Sequence, residues 1–430
     1  MSDARLGRVR PDQLSERLRL PVTAEILEQS AGIVEDVRER GEEALRDHSL
    51  RLGDLSAHDD PLVYTGDDLK RCVDSIDEAT RLLLEKTSER IRKFAEAQMA
   101  ALTDIDVPVE GGRAGHRILP VGTVGAYAPG GRHPLPSSVL MSVVPAVTAG
   151  VREVWVASPR PTPATIAAAA LAGAHGLIGV GGAQAIASLA FGTISPQVDL
   201  VVGPGNAWVT GAKKHLYGEV GIDGLAGPSE IVVVADESSN PAFVAADLLA
   251  QAEHDPAALP VLVTTNSSLV DSVNGEIHRQ LMGLPTAKVA ARSIEAGFAV
   301  VVSSLDEAVA TADLLAPEHL SVQTSDPEPL SRRFESYGSM FVGPGSIEAL
   351  ADYGIGPNHT LPTGRSARYQ SGLSVFTFLR TPTWLIVDDP GSVGPDAAAF
   401  GRLEGLEAHA RAAEIRSNQD AVSRNRSISP

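Results

Sequence analysis

A single cysteine, Cys72, stands among 430 residues. That scarcity excludes an intrachain disulfide framework and any multi-cysteine zinc site. Cys72 lies in the helical pattern "DDLKRCVDSIDEA", where a buried structural thiol is expected. Aromatic residues make up only 4% of the chain. Ala, Gly and Val must therefore fill the interior, which suits closely packed α/β layers. Basic charge is short as well: the formal net charge is −18 and no Lys/Arg cluster occurs, which argues against a nucleic-acid partner. A membrane span is also missing. Residues 161–198 contain no Asp, Glu, Lys or Arg, but the run is Ala-rich and interrupted by "GVGGAQ" and His175. Short buried helices and strands account for it better than a span. The beginning, "MSDARLGRVRPDQ", lacks the apolar stretch of a signal peptide, so a cytoplasmic location is expected. The length predicts two or more domains.

What the chain does contain is periodic. Over residues 22–102, apolar residues recur at three- and four-residue spacing among many charges, which predicts helices. Near "PVGTVGAYAPGG" (120–131) the texture changes. "REVWVAS", "GLIGV" and "VDLVVG" predict buried strands, with "SSVLMSVVPAVTAG", "PATIAAAALAG", "AQAIASLAFG" and "NAWVTGAKKHLYG" as helices between them. A second alternating unit follows Ser229: "EIVVVAD", a helix over 241–253, "LPVLVTT", a helix over 267–282, "FAVVVSS", a helix over 305–315, and "SMFVGPG". This alternation predicts an α/β fold with parallel sheets covered on both faces. "DLVVGPGN" and "SMFVGPGS" both run an apolar strand into Gly-Pro-Gly, which suggests that the two units are related. After Pro362 the alternation ends, and a short helix, "GLEAHARAAEIRS", precedes a polar tail.

Two short stretches look alike, "LLAQAEHDP" and "LLAPEHLSV", each with a Glu beside a His. In the first, Gln251 and His254 are three apart on a helix end and share a face. They can offer an oxygen and a nitrogen to a metal, or form a helix end with a satisfied histidine. In the second, Glu318 and His319 are consecutive. At a strand or loop edge such a pair can activate water and take a proton; a surface Glu–His turn has the same appearance. "ADYGIGPNHTLPTG" adds Asp352 and His359 in a Gly/Pro loop, and "EGLEAHARA" adds Glu404 and His409 on adjoining helix faces. "GVGGAQA" opens a helix whose free N–H groups can receive a phosphate. "GPGNAWV" places Asn206 at an N-cap, a role that needs no ligand. A full dinucleotide fingerprint is missing, as is an H-E-x-x-H helix, which disfavours a zinc hydrolase.

Taken together these segments resemble the histidinol dehydrogenase family. "GAYAPGG", "GGAQAIASLAFGT", "VGPGNAWV", "VGIDGLAGPSEIVVVAD", "ADLLAQAEHDP", "APEHL", "ADYGIGPNHTLPTG" and "EGLEAHA" fall in family order between about residues 22 and 416. The resemblance implies two similar Rossmann-like, aldehyde-dehydrogenase-like domains with parallel sheets. The expected divisions are a helical N-terminal region (1–120) packing partly on the second α/β unit, a first α/β domain on the NAD side (121–229), and a second with the zinc and acid/base residues (230–365). A small helical C-terminal extension (366–430) would be exchanged in a homodimer. The activity implied is oxidation of L-histidinol to L-histidine, through an enzyme-held aldehyde, in two NAD-dependent hydride transfers at the end of histidine biosynthesis. One Zn²⁺ per subunit would be held by Gln251, His254, Asp352 and His409. Glu318 and His319 would be the acid/base pair. Ser229, His319, His359 and Glu404, together with the zinc ligands, would contact substrate, while Tyr127, Gln184 and Asn206 would contact NAD. Cys72 lies far from every motif, so water addition to the aldehyde is preferred over a thiohemiacetal.

Three places depart from the family pattern: Arg132–His133 after the glycines, Leu350–Ala351 before Asp352, and "RYQSGLSVFTFLR". They leave room for a relative acting on another polar alcohol, such as a sulfopropanediol dehydrogenase. A catalytically silent metal-binding protein on the same fold is disfavoured by the presence of both Glu318 and His319. The N/O ligand set would also accept Mn²⁺ or Co²⁺.

Overall fold

The computed structural model describes residues 4–17, 22–130 and 134–426; the Arg132–His133 departure lies outside the described residues. The chain sorts into two compact units, Met1–Ala97 with Val121–Phe378, and Gln98–Pro120 with Leu379–Pro430.

The first unit is built on two six-stranded sheets. One runs Gly221–Ile222, Leu200–Val202, Thr123–Tyr127, Glu153–Ala157, Gly176–Ile178 and Val63–Thr65, all parallel except the last. The other runs Gly7–Val9, Phe298–Val301, Leu259–Thr264, Glu230–Ala235, His319–Gln323 and Ser339–Val342, parallel throughout. Each half contributes five strands of its own; numbered in chain order, both sheets have the order 3-2-1-4-5. In each, residues from the N-terminal part of the chain add a sixth strand beside strand 3. Such parallel strands are buried on both faces and read as continuous apolar runs. Ile231, Val233 and Ala235 pack with Leu248, Leu262 and Ile277 on one side, while Val232 and Val234 pack with Val261, Val300 and Leu320 on the other.

This topology corrects the pairing suggested by the two Gly-Pro-Gly segments. "VGPGN" follows strand 4 of its half, whereas "VGPGS" follows strand 5. The counterpart of Leu200–Val202 is His319–Gln323, a strand not foreseen in the sequence. Its residues alternate: Leu320 and Val322 enter one core, while His319, Ser321 and Gln323 share the opposite face and are also buried. Buried polar residues on that face remove the apolar signature. Thr123–Tyr127, strand 1 of its half, was likewise hidden by flanking glycines and prolines.

The uncharged run 161–198 folds as two buried helices, Pro163–Ala172 and Gly182–Phe191, around the strand Gly176–Ile178. Among the described residues no helix is long and apolar enough to cross a membrane. Cys72 is half-buried on the helix Asp67–Ser75, and burial pushes its thiol pKa up. The N-terminal region divides its packing. Helices Ala24–Arg40 and Glu42–Arg51 lie on the first half. Thr87 and Phe94, from the helix Glu78–Ala100, press on Gly354 and Gly356 of the second half.

In the second unit, Ile105–Val109, Gly112–His116 and Thr383–Val387 form a three-stranded antiparallel sheet. Strands therefore end the helical reading of 1–120 well before residue 120. The expected single short helix is corrected too: Pro390–Leu403 and Glu407–Arg426 form a helical hairpin. Gly and Pro residues masked the first of these helices. Gly394 allows it to approach Ser417 and Gly401 to approach Ala410. Arg402 pairs with both Glu407 and Glu414 across the hairpin.

Candidate active site and metal centre

In a parallel α/β sheet each crossover helix runs back against the strands, so its C-terminal end returns to the strands' amino-terminal edge. The helix Pro241–Ala252, capped by Asn240 on the Ala242 N–H, obeys this and delivers Gln251 and His254 there. The same edge carries Glu318–His319 at the start of one strand and Ser229–Glu230 at the start of its neighbour. A helical turn, Glu348–Asp352, supplies Asp352, which therefore ends a helix rather than sitting in a loop. His359 follows in coil and donates from Nδ1 to the Asp352 carbonyl oxygen at 3.0 Å. The Ser138 hydroxyl is 3.1 Å from the other ring nitrogen, Nε2.

Hydrogen bonding decides the state of His319. Nδ1 lies 2.9 Å from Gln251 Oε1 and 3.1 Å from the Glu230 carbonyl oxygen. A carbonyl only accepts, so Nδ1 carries the proton and Nε2 is the basic nitrogen. Nε2 is buried and has no hydrogen-bond partner among the described residues. Burial lowers the His319 pKa to about 3, opposed by the bond to Glu230. His359 falls to about 4 for the same reason. Glu318 is buried, with Oε2 accepting the Glu230 N–H at 3.0 Å, and burial pushes its carboxyl well above the usual range. Burial also raises Asp352 to about 6. His254 is half-exposed, and partial desolvation lowers its pKa.

One residue was missed: Glu348. It is buried and precedes Asp352 by four positions, hence on the same helix face. That spacing was its only signal in the sequence. His254, Glu348 and Asp352 place ligand atoms within 4.8 Å of one another. Among the described residues no Lys or Arg forms an ion pair with Glu318, Glu348 or Asp352; histidines are their ionic neighbours. A second polar pairing lies one turn back on the helix Pro241–Ala252. Asp247 accepts from Gln323 Nε2 at 2.6 Å and from the Ser321 hydroxyl at 3.4 Å, and burial lifts its pKa to about 6. Asp247 and Gln251 thus meet the polar face of His319–Gln323, one from each turn of the helix.

The other half presents its carboxyl-terminal strand edge, beside the point where the connections from the adjacent strands 1 and 4 leave toward opposite sides of the sheet, a usual ligand position in such sheets. A cleft of about 1010 Å³ opens there, lined by Tyr127, Arg160, Gly182, Gln184, Asn206 and Trp208 among others. The helix start in "GVGGAQ" is not free, as its sequence suggested. Gly181 N–H donates to Asp54 Oδ2 at 2.9 Å and Gly182 N–H to the Tyr127 hydroxyl at 3.2 Å. Tyr127 is raised to about 12 by burial. Gln184 is fully buried, and neither amide atom has a hydrogen-bond partner among the described residues. Asn206 caps the helix Ala207–Leu216 by accepting from the N–H groups of Trp208 and Val209. Beneath this loop lies a buried ion pair. Asp223 accepts the Gly203 N–H at 2.7 Å and pairs with Lys213, whose Nζ donates to the Gly203 carbonyl at 3.0 Å.

Glu404 and His409 belong to the second unit. They do not share a helix: Glu404 caps the end of Pro390–Leu403, Gly405 turns the chain at a φ of 76°, and His409 lies on Glu407–Arg426. Both are exposed, beside exposed Phe400 and Leu403.

A family model described as Histidinol dehydrogenase matches residues 19–417. The histidinol dehydrogenase of Thermus thermophilus is 45% identical over 391 residues, covering 90% of this chain and 93% of that protein. That of Caulobacter vibrioides is 43% identical over 393 residues, covering 90% and 91%. The crystal structure of histidinol dehydrogenase from Elizabethkingia anophelis matches with a TM-score of 0.89 at 30% identity, covering 96% of this chain and 98% of that one. By its sequence along nearly its whole length and by its fold, the chain belongs to the histidinol dehydrogenase family of NAD-dependent oxidoreductases.

Proposed function

We propose that this protein is a zinc-dependent four-electron dehydrogenase that oxidises L-histidinol to L-histidine with two NAD⁺, the last step of histidine biosynthesis. The observation that carries the metal part is the set of buried carboxylates and neutral imidazoles without a Lys or Arg partner among the described residues. Buried anions need a counter-charge, and nitrogen and oxygen donors suit Zn²⁺. In this reading Gln251, His254 and Asp352, with His409 of the partner subunit, hold the metal. When bound, zinc supplies orientation of the substrate's imidazole and amine, and NAD⁺ accepts hydride.

The remaining chemistry falls to the chain's own residues. His319 takes the alcohol proton at Nε2, the nitrogen left basic by the bonds at Nδ1. Glu318 activates water for attack on the aldehyde carbon. A carboxylate in dry surroundings is a stronger base than in water, and burial is the main cause of its shift. Ser229, His359 and Glu404 of the partner subunit orient the substrate. Tyr127, Gln184 and Asn206 line the cleft assigned to NAD. A homodimer with shared sites is supported by the exposed apolar residues around Glu404 and His409, since such patches mark association surfaces.

The test is the stoichiometry of NADH formed by the zinc-loaded protein with L-histidinol. Two NADH per substrate, without released aldehyde and without turnover of sulfopropanediol, is the expected result. A single NADH per substrate, or preference for sulfopropanediol, overturns the proposal.

A further inference from the structure

We infer that Asp54 makes the cleft selective for NAD over NADP, accepting from the 2′-hydroxyl of the adenosine ribose and excluding a 2′-phosphate. The inference rests on the reading of this cleft as the NAD site and deepens it to the choice between the two cofactors. Asp54 follows the helix Glu42–Arg51 and lines the cleft with Arg160, Gly181 and Gly182. Its carboxylate is held through one oxygen only. Oδ2 accepts the Gly181 N–H at 2.9 Å, while Oδ1 has no hydrogen-bond partner among the described residues. An ionised carboxylate only accepts, so the open oxygen calls for a donor, which a ribose hydroxyl supplies and a phosphate does not. The cleft calls for a ligand on separate grounds. Gln184 lines it fully buried, with both amide atoms unpartnered among the described residues.

Two features beside Asp54 would otherwise favour a phosphate. The first is the start of the helix Gly182–Phe191, because leading N–H groups and the helix dipole attract anions. Asp54 and the Tyr127 hydroxyl take the N–H groups of Gly181 and Gly182, so that seat is filled, in part by an anion of the protein's own. The second is Arg160, which has no ion pair or hydrogen bond among the described residues. Burial raises the Asp54 pKa, opposed first by the Gly181 N–H and then by the charge of Arg160. A carboxylate so poorly hydrated repels a second anion with little screening. Its position fits the adenosine end. Gly181 follows strand 3 of its half, two strands away from strand 1. The connection after strand 1 leads to Ser138, whose hydroxyl is 3.1 Å from His359 of the other half's site. The nicotinamide must leave the cleft on that side to reach His319, which turns the adenosine end toward Gly181 and Asp54.

The test measures cofactor binding to the whole chain without substrate, from the fluorescence of NADH and NADPH. The unaltered protein should bind NADPH about tenfold or more weakly than NADH. An NADH analogue lacking the adenosine 2′-hydroxyl should also bind about tenfold more weakly, the worth of a hydrogen bond to a charged acceptor. Asp54→Asn removes the charge and keeps an acceptor for the Gly181 N–H. It should narrow the preference for NADH about tenfold, chiefly by tightening NADPH. Asp54→Ser serves if Asp54→Asn does not fold, and the measurements on the unaltered protein need neither variant. NADPH or the 2′-deoxy analogue binding the unaltered protein within about threefold of NADH overturns the inference, as does a folded variant with unchanged preference. Gln184→Ala and Asn206→Ala separate this from the assignment of the cleft. Should both bind NADH normally, the NAD reading of the cleft fails; should they weaken NADH while the Asp54 variant keeps its preference, Asp54 alone is excluded.

Discussion

Replacing Lys213 by Met should both destabilise the protein and loosen NAD binding. The Lys213 side chain is 3% exposed and that of Asp223 10%, so neither charge has water to fall back on. Each member of the pair holds one side of the Gly203 peptide, Asp223 the N–H and Lys213 the carbonyl. Gly203 has a φ of 104°, and a Cβ there would sit 2.0 Å from the Tyr127 carbonyl oxygen, so the loop has little other means of accommodating itself. Removing the ammonium leaves a buried carboxylate unpaired, at a cost of about 3–5 kcal/mol. Adding Asp223→Asn removes the charge but keeps an acceptor for the Gly203 N–H. The double variant should then retain only the loss from one unsatisfied carbonyl, about 1–3 kcal/mol. The second substitution thus rescues the first, against additivity. Urea unfolding followed by tryptophan fluorescence measures this, with Trp155 in the core of the same half as a reporter. The functional consequence follows from Asn206, which lies at the end of this loop and lines the cleft. If the loop keeps its held form a tenth of the time, the apparent Kd for NAD rises about tenfold. A Lys213→Met protein within about 1 kcal/mol of the original, or a double variant with summed losses, refutes the reasoning.

Three further outcomes are expected. Asp247, lifted to about 6 by burial, favours the neutral form in the folded state; its stabilisation is complete below its unfolded pKa and lost as pH rises through about 6. Asp247→Asn should therefore gain up to about 3 kcal/mol near pH 8 and flatten the stability profile through the mildly acidic range, which urea midpoints across pH measure. Glu318→Gln should impair oxidation of histidinaldehyde more than that of histidinol, while His319→Asn should impair both; equal losses for the glutamate variant would refute the division of labour. Mixing inactive His254→Ala and His409→Ala protomers, with exchange verified, should restore activity, because one of the two sites in a mixed dimer carries neither lesion; a mixture that stays inactive excludes shared sites.

The strands and helices with one consistent environment were legible from the sequence. Runs such as "EIVVVAD" and "LPVLVTT" are apolar on both faces and announce buried parallel strands without reference to anything distant. The separation of Gln251–His254 from Glu318–His319 came from family motifs, and the fold gathers both at one strand edge. Other features depended on partners remote in the chain. His319–Gln323 looks like loop because its polar face finds partners on other elements, Gln251 and Asp247 on a helix and the Glu230 carbonyl on the neighbouring strand. Glu348 is an unremarkable helical glutamate until His254, nearly a hundred residues earlier, is brought to 3.9 Å from it. The glycines of Pro390–Leu403 read as breaks until a second helix occupies the space that their missing side chains leave. Periodicity reports whether a residue faces core or water; which buried group faces which is decided only when the chain closes on itself.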